Sequence, residues 1–164
     1  MWHAFAMTLG GGYALGPGEA LEDLQMGDSS VLSLKVTGRQ SNGLVTVIEG
    51  VALAGGPPLH LHEAEDEVVI CVDGELAFQL GDQRGTLEPG GVLWFPRAVP
   101  HAVANLSGRP VRFITVVTPS GIEDYFRAQR DYLASLASGQ PFDPDAFARI
   151  PGHETRPVVG PPLA

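Results

Sequence analysis

Short runs of apolar residues, separated by glycine, proline and asparagine, recur along the chain between about residue 30 and residue 118. Each run has the length of a β-strand, and most are too short for a helix. Between them, Asn42-Gly43, Asp73-Gly74 and Gly81-Asp82 are turn signals typical of β-hairpins. The pattern predicts an all-β protein with strands over residues 30–37, 44–53, 60–62, 68–73, 75–80, 85–87, 92–95, 102–105 and 111–118.

A helical period replaces the strand pattern after Thr118. Ser120 to Glu123 match a capping box, which predicts an amphipathic helix from there to about Gly139 and Pro141. Its apolar face must pack against the rest of the protein and carries Ile122, Tyr125, Phe126, Leu133, Leu136 and Ala137.

The two ends of the chain are less regular. A second helix is predicted from Asp143, as the N-cap, through Pro144 in its first turn to about Ile150. Residues 156–162 are interpreted as an extended arm on the surface. Residues 1–28 are rich in glycine and have no assignable pattern.

Charge and composition narrow the classes of partner. The formal net charge of −9 argues against nucleic acid and anionic membrane surfaces. No apolar stretch has the length of a membrane span, and the first residues lack the positive region of a secretory signal, so we expect a cytoplasmic protein. Cys71 is the one cysteine, so no intrachain disulfide contributes to the fold, and we expect a small buried side chain there.

Histidines stand out within the strand pattern. His60 and His62 are two residues apart, so on an extended strand their imidazoles point to the same face. Glu67 begins the next apolar run, and His101 begins a later strand after a proline-rich loop. A pair of imidazoles is therefore predicted to converge, with a third available from a distant part of the chain.

The segment around the first pair resembles the first motif of the cupin superfamily. His60, His62, Glu67 and Gly74 have the spacing of that motif, while its leading glycine position falls on Ala54. The joint pattern is far more specific than a lone His-x-His, which also occurs as ordinary strand histidines.

The second segment resembles the second cupin motif. Gly90, Pro96, His101 and Asn105 match it, and Ala98 stands where the motif has glycine. Because alanine resists positive φ and glycine does not, we expect the loop before His101 to differ in backbone geometry from the family.

The resemblance covers about residues 45–118 and implies a double-stranded β-helix, or jelly-roll, barrel. We expect a single domain over residues 1–164, with the barrel at about 30–118 and a C-terminal α-helical tail at about 120–164. The implied metal ligands are His60, His62, Glu67 and His101, a set that suits one divalent ion of Fe, Mn, Ni, Co, Cu or Zn. Glu67 is either a permanent ligand or a general base towards a substrate hydroxyl.

Three functions stay open on the sequence. The motif pair with a helical tail is similar to quercetin dioxygenase-like proteins, in which a redox-capable metal and dioxygen cleave an aromatic or enolic substrate such as a flavonol. A non-redox isomerase or polyketide cyclase would use the ion as a Lewis acid. A small-molecule binding module would have no turnover. The ligand set favours the dioxygenase, and no DNA-binding helix pair precedes the barrel.

The surroundings of the site follow from strand alternation. Counting from Glu67 and from His101, the residues predicted to face inward are Val69, Cys71, Val103 and Asn105. Three aromatic residues have two possible roles: they form walls for a flat substrate, or they are part of the barrel core. These residues are Phe78, Trp94 and Phe95.

The remaining polar candidates near the motifs are interpreted as solvated. The acidic residues Glu63, Glu65 and Asp66 are expected to form a solvated loop at the barrel mouth rather than a calcium site. His3 and His153 are expected to be solvated or loop histidines rather than ligands.

Two strands suggest a protein partner. Residues 68–72 and 92–95 are apolar at every position, although a strand with one face in water should alternate. We therefore expect both faces to be covered, and predict a homodimer that packs through these sheets, as the resemblance also implies.

Overall fold

The computed structural model describes residues 11–136 and 140–164 of the chain. Two antiparallel sheets enclose the core. In spatial order, the first sheet contains Glu22–Met26 (β1), Ser30–Val36 (β2), Thr46–Ala52 (β3), Val111–Thr118 (β10), Asp66–Asp73 (β5) and Val92–Phe95 (β8). The second contains Val158–Pro162 (β11), Pro58–His60 (β4), His101–Ala104 (β9), Leu76–Leu80 (β6) and Gln83–Leu87 (β7).

The predicted all-β jelly-roll fold with a C-terminal helical tail is confirmed. Alternate residues of the strands point between the sheets, and Val69 and Cys71, predicted to face inward, are each 1% exposed. One close approach requires glycine: a Cβ on Gly50 would lie 2.1 Å from the ring of Phe113 on the neighbouring strand. Side chains from both sheets therefore fill the space between the sheets and form the core.

The turn predictions agree with the backbone. Asn42 and Gly74 have φ of 54° and 82°, the left-handed region that asparagine and glycine tolerate. A short helix, Gly38–Ser41 (α1), precedes the first of these turns and was not predicted. Strand β1, inside the segment left unassigned, pairs with β2 and buries Leu24 completely.

The long helix Ile122–Ser135 (α2) starts differently from the prediction. Its N-cap is Gly121 with φ of 128°, and no side chain caps it, so the capping box at Ser120 is wrong. The carboxylate of Glu123 instead accepts hydrogen bonds from the backbone N–H groups of Gly38 and Gly121 and from the hydroxyl of Thr46. Glu123 therefore fastens α2 to the barrel.

The second helix, Pro144–Phe147 (α3), is shorter than predicted, but its start is confirmed. The carboxylate of Asp143 accepts from the backbone N–H groups of Asp145 and Ala146, and Pro144 occupies the first turn. The predicted arm is extended and largely exposed, and its residues Val158–Pro162 form β11, an edge strand of the second sheet that pairs with β4. Within the described parts of the chain, neither these helices nor any other has the length and hydropathy needed to cross a membrane.

The outer face of the first sheet carries large apolar side chains at its β8 edge. Val92 and Trp94 are 59% and 50% exposed, and they pair across the strands with Ile70 and Val68. The prediction that this face is covered by a partner subunit stays a prediction.

Candidate metal centre

Three histidines converge inside the barrel. The ligand atoms of His60, His62 and His101 all lie within 4.8 Å of one another. His60 and His101 are opposite each other where β4 pairs with β9, and their ring centroids are 4.7 Å apart. The ring of His62, just beyond the end of β4, lies 5.2 Å from that of His60 and 5.0 Å from that of His101. The imidazoles of His60 and His62 therefore converge as their spacing predicts, and the pairing of β4 with β9 brings His101 to the same place.

Two of the imidazoles are oriented by backbone carbonyl groups of the proline-containing segments. His60 Nδ1 lies 2.8 Å from the Pro58 carbonyl oxygen, and His101 Nδ1 lies 2.9 Å from that of Val99. Because a carbonyl only accepts, Nδ1 carries the proton in both rings and Nε2 keeps a free lone pair. This is the arrangement that fixes the tautomer of metal-binding histidines.

Glu67 flanks this cluster from strand β5. Its Oε2 lies 3.4 Å from His101 Nε2 and 3.9 Å from His62 Nδ1. These two nitrogens are buried and have no hydrogen-bond partner among the described residues. Buried polar atoms without a partner are rare, because each has lost its hydration without replacement. A cation between the imidazoles and the carboxylate satisfies both nitrogens, and a set of nitrogen and oxygen donors fits a divalent transition metal. The residues present therefore fit such an ion.

Burial and neighbouring groups set the charges of these side chains. Loss of hydration lowers the pKa of His60 and lowers that of His62 to about 3, so both rings are neutral ligands at pH 7. Burial alone would raise the pKa of Glu67, but interactions with His101 and His62 outweigh it, and its pKa lies below the usual value. The carboxylate is therefore ionised and supplies the negative charge that a cation requires.

The loop before His101 keeps the glycine-like backbone in spite of Ala98. Ala98 has φ of 62°, and its N–H donates to the carbonyl of His62 at 2.7 Å. The expectation of a different loop geometry is wrong, because this hydrogen bond and the flanking prolines hold the turn. The loop that ends at His101 is thereby joined directly to His62, the second candidate ligand.

Only one of the three aromatic candidates touches the site. The Phe95 ring is stacked on His101, with centroids 4.3 Å apart and planes inclined by 10°. Trp94 points outward, so its role as a cavity wall is wrong, and Phe78 packs against the core. Trp94 and Phe95 point in opposite directions because successive side chains lie on opposite faces of a strand.

A cavity of about 940 Å³ opens beside the histidines, and its lining is largely apolar. Val103, predicted to face inward, lines it. Asn105 reaches its edge but uses its amide to donate to the carbonyl groups of Ala52, Leu53 and Arg109. The C-terminal extension forms much of the outer wall through Tyr125, Phe126, Gln129, Phe142, Phe147 and His153. The sequence predicted that the two helices serve for packing and that His153 is a solvated or loop histidine, and no local signal marked these side chains as cavity residues.

His153 corrects one expectation. It is not a solvated histidine: it is half-buried, and its Nδ1 lies 3.2 Å from the Tyr125 hydroxyl. It lies outside the three-histidine group, as expected. His3 lies outside the described residues.

The acidic segment of Glu63, Glu65 and Asp66 also differs from its prediction. Glu63 is exposed, and Asp66 pairs with Arg97 near the surface, where hydrogen bonds from Arg97 lower its pKa to about 2. Glu65, however, is 5% exposed and forms an ion pair with Arg156, which is 6% exposed. Burial raises the pKa of Glu65, and the Arg156 guanidinium opposes this rise. The expectation of a solvated loop is therefore wrong for Glu65, because the residue that buries it comes from the far end of the chain.

Comparison with known proteins identifies the same architecture. Residues 45–117 match the Cupin domain family (Cupin_2). The fold is similar to that of an RmlC-like cupin from Shewanella frigidimarina NCIMB 400, at 17% identity and a TM-score of 0.56, over 67% of this chain and 92% of that one. It is also similar to KdgF from Halomonas sp., at 16% identity and a TM-score of 0.55, over 62% and 89% of the two chains.

A third similar structure is the Cnp3 cupin domain of Schizosaccharomyces pombe, at 15% identity and a TM-score of 0.54, over 71% of this chain and 79% of that one. At these identities the likeness shows the fold alone. A search of curated proteins found no match to the chain.

Proposed function

From the cupin domain at residues 45–117, we propose that this protein is a metal-dependent enzyme of the dioxygenase type. Its substrate is a small, largely apolar molecule with an aromatic or enolic hydroxyl group, such as a flavonol. The observation that carries the proposal is the position of the three histidines and Glu67 in the wall of an apolar cavity of about 940 Å³.

The ligand set supports an ion that takes part in chemistry. His60, His62, His101 and Glu67 would hold one divalent ion, which supplies Lewis acidity and, for Fe, Mn, Ni, Co or Cu, redox chemistry. All four residues line the cavity, so an ion that they held would be accessible from the cavity to a substrate oxygen. A purely structural ion would be enclosed by protein ligands on every side.

The cavity supports a substrate with an aromatic or otherwise flat apolar body. Its volume of about 940 Å³ is at the upper end of the range for small-molecule sites. Phe95 lies beside the ligands, and Phe126 and Phe147 line the outer wall. Aromatic rings favour flat apolar ligands through stacked and edge-to-face contacts, and they exclude water from the reacting end.

Glu67 supports proton transfer from a hydroxyl group. Its carboxylate is ionised and its side chain is 13% exposed, so it keeps access to the cavity that its residue lines. An ionised carboxylate at hydrogen-bond distance from a phenolic or enolic hydroxyl can accept its proton, and the ion, when bound, would stabilise the resulting anionic oxygen. Glu67 therefore serves the reaction either as this base or as a fourth metal ligand.

The test begins with the metal content of protein purified from its native host, followed by dioxygen uptake with flavonols and other enolic compounds. We expect one redox-capable ion per chain and uptake that matches substrate consumption. Tightly held zinc with substrate turnover but no uptake would favour a Lewis-acid isomerase or cyclase. Full occupancy and ligand binding without turnover would favour a binding protein.

Variants locate the activity within the chain. His62→Ala and His101→Ala should lose the metal while the barrel stays folded, because the core strands do not depend on the ion. Glu67→Gln separates the two roles of Glu67: retained metal without turnover indicates the base, and lost metal indicates a ligand. Glu63→Gln makes the same change at an exposed position of the same segment and should leave metal content and turnover unaltered.

A further inference from the structure

The strand that carries the first ligand has little support from the barrel itself. β4 contains three residues, and it pairs with β9 at one register position, His60 opposite His101. Its other edge pairs with β11, where Val158 lies opposite His60 and Pro162 opposite Pro58. The C-terminal strand therefore completes the sheet around the first ligand.

Backbone hydrogen bonds continue this contact past the end of β4. The N–H of Leu61 donates to the Pro157 carbonyl at 3.2 Å, and the N–H of Glu63 donates to the Thr155 carbonyl at 2.9 Å. These two N–H groups are on either side of His62. Both ligands of the His-x-His pair are thus held through residues 155–158, which lie outside the segment that matches the cupin family.

Arg156 lies between the two residues that supply those carbonyl groups. Its buried guanidinium pairs with Glu65 and donates from Nη1 to the Gly152 carbonyl at 2.7 Å. Glu65 is part of the short segment that joins His62 to Glu67. One side chain therefore connects the C-terminal segment to the loop between two ligands.

We propose that Arg156 is a positioning residue of the metal centre. Through Glu65, and through the backbone on either side of Arg156, it holds His60, His62 and Glu67 in place relative to His101. The inference rests on the proposed metal site. Removing one partner of a buried ion pair leaves the other charge without compensation, so the segment must move to rehydrate it. Groups that orient metal ligands in this way change metal affinity by about 10- to 100-fold when they are lost.

The test is a titration of the metal-free protein with Co²⁺, which reports affinity by chelator competition and ligand geometry by visible absorption. Arg156→Lys keeps the charge and loses the planar fork, and should weaken Co²⁺ binding and alter the absorption spectrum. The double variant Glu65→Gln/Arg156→Met removes both buried charges and should lose about 10- to 100-fold in affinity. Circular dichroism and melting of the metal-free forms verify that both variants are folded.

Arg127→Met is the matched control. It removes an arginine that pairs with Glu22 and Asp124, away from the ligand segment, and should leave the Co²⁺ affinity and spectrum unchanged. Folded Arg156 variants with wild-type affinity and spectrum would overturn the inference. Wild-type protein that fails to bind Co²⁺ would instead contradict the metal site itself.

Discussion

The ring of Phe95 lies flat against the imidazole of His101, with centroids 4.3 Å apart and planes inclined by 10°. Phe95 is 1% exposed, so this contact is part of the core as well as of the candidate metal centre. Together with the Val99 carbonyl on Nδ1, it leaves the imidazole one orientation. His101, the third candidate ligand, is therefore held in place by packing and by this hydrogen bond.

Replacement of Phe95 by alanine should lower the free energy of unfolding by about 3–5 kcal/mol, because it leaves a cavity beside His101. Metal affinity should fall as well, since the imidazole gains rotational freedom. Denaturant titration measures the first effect and metal competition the second. The control Leu44→Ala, on a largely exposed side chain, should change stability by less than about 0.5 kcal/mol. An unchanged metal affinity in folded Phe95→Ala would show that the stack does not orient His101.

Replacement of Ala98 by glycine should stabilise the protein. The residue has φ of 62°, a conformation that costs a residue with a Cβ about 1–2 kcal/mol and glycine very little. After the greater freedom of glycine in the unfolded chain is included, we expect a gain of about 1 kcal/mol in denaturant unfolding.

The matched control for Ala98 is Ala104→Gly, because Ala104 lies in the extended strand β9. There the same change should lower the free energy of unfolding, because glycine loses more conformational entropy on folding and no positive φ is relieved in a strand. A loss of stability in Ala98→Gly would contradict a left-handed conformation at this position.

The metal-free protein should lose stability as the pH falls below about 6.5, the ordinary pKa of histidine. The folded state lowers the pKa of His60, and that of His62 to about 3, so in this window the unfolded chain binds protons that the folded one does not. Each such group contributes a slope of up to about 1.4 kcal/mol per pH unit. Above about pH 6.5 both states are neutral at these rings and the slope vanishes.

Urea unfolding of the metal-free protein between pH 8 and pH 4 measures this slope. The variant His62→Gln should have a shallower slope, because one of the titrating groups is gone. Equal slopes in the two proteins would mean that the His62 ring stays hydrated in the folded state.

The exposed edge of the first sheet should bind a second copy of the chain. Val92 and Trp94 expose apolar surface beside Val68 and Ile70, and light scattering should therefore report twice the mass of 17.3 kDa. Trp94→Lys should shift the protein towards monomer. Val159→Lys introduces the same charge at a side chain of similar exposure, 49% against 50%, but on β11, and should leave the dimer intact. A monomeric wild-type protein at micromolar concentration would contradict the prediction.

Features that depend on near neighbours in the chain could be predicted from the sequence. The spacing of His60 and His62 places their rings on one side of an extended segment, and Asp73-Gly74 produces a turn because its glycine accepts positive φ. Asp143 caps its helix by accepting hydrogen bonds from backbone N–H groups two and three residues further along the chain. In each case the groups that cause the feature lie within a few residues of one another, so the local sequence pattern is enough to predict it.

Local rules failed where a distant group satisfied a polar side chain better than a near one. Glu123 was predicted to complete a capping box with Ser120, yet it binds the Gly38 N–H, 85 residues away. Glu65 belongs to an acidic run that reads as solvated, yet Arg156, 91 residues away, pairs with it in the interior. Charge pairing and burial depend on which surfaces the folded chain brings together, and no nearby residue signals that.

The sequence by itself therefore determined the strand pattern, the identity of the candidate ligands and the face on which two of them lie, because strand geometry and turn chemistry act over short distances. Only the tertiary structure decided that His101 completes the cluster opposite His60, and that the C-terminal helices wall the cavity. It also decided that β11 supports the ligand strand. These outcomes follow from the closure of the two sheets, which is set by the packing of the whole core rather than by any one segment.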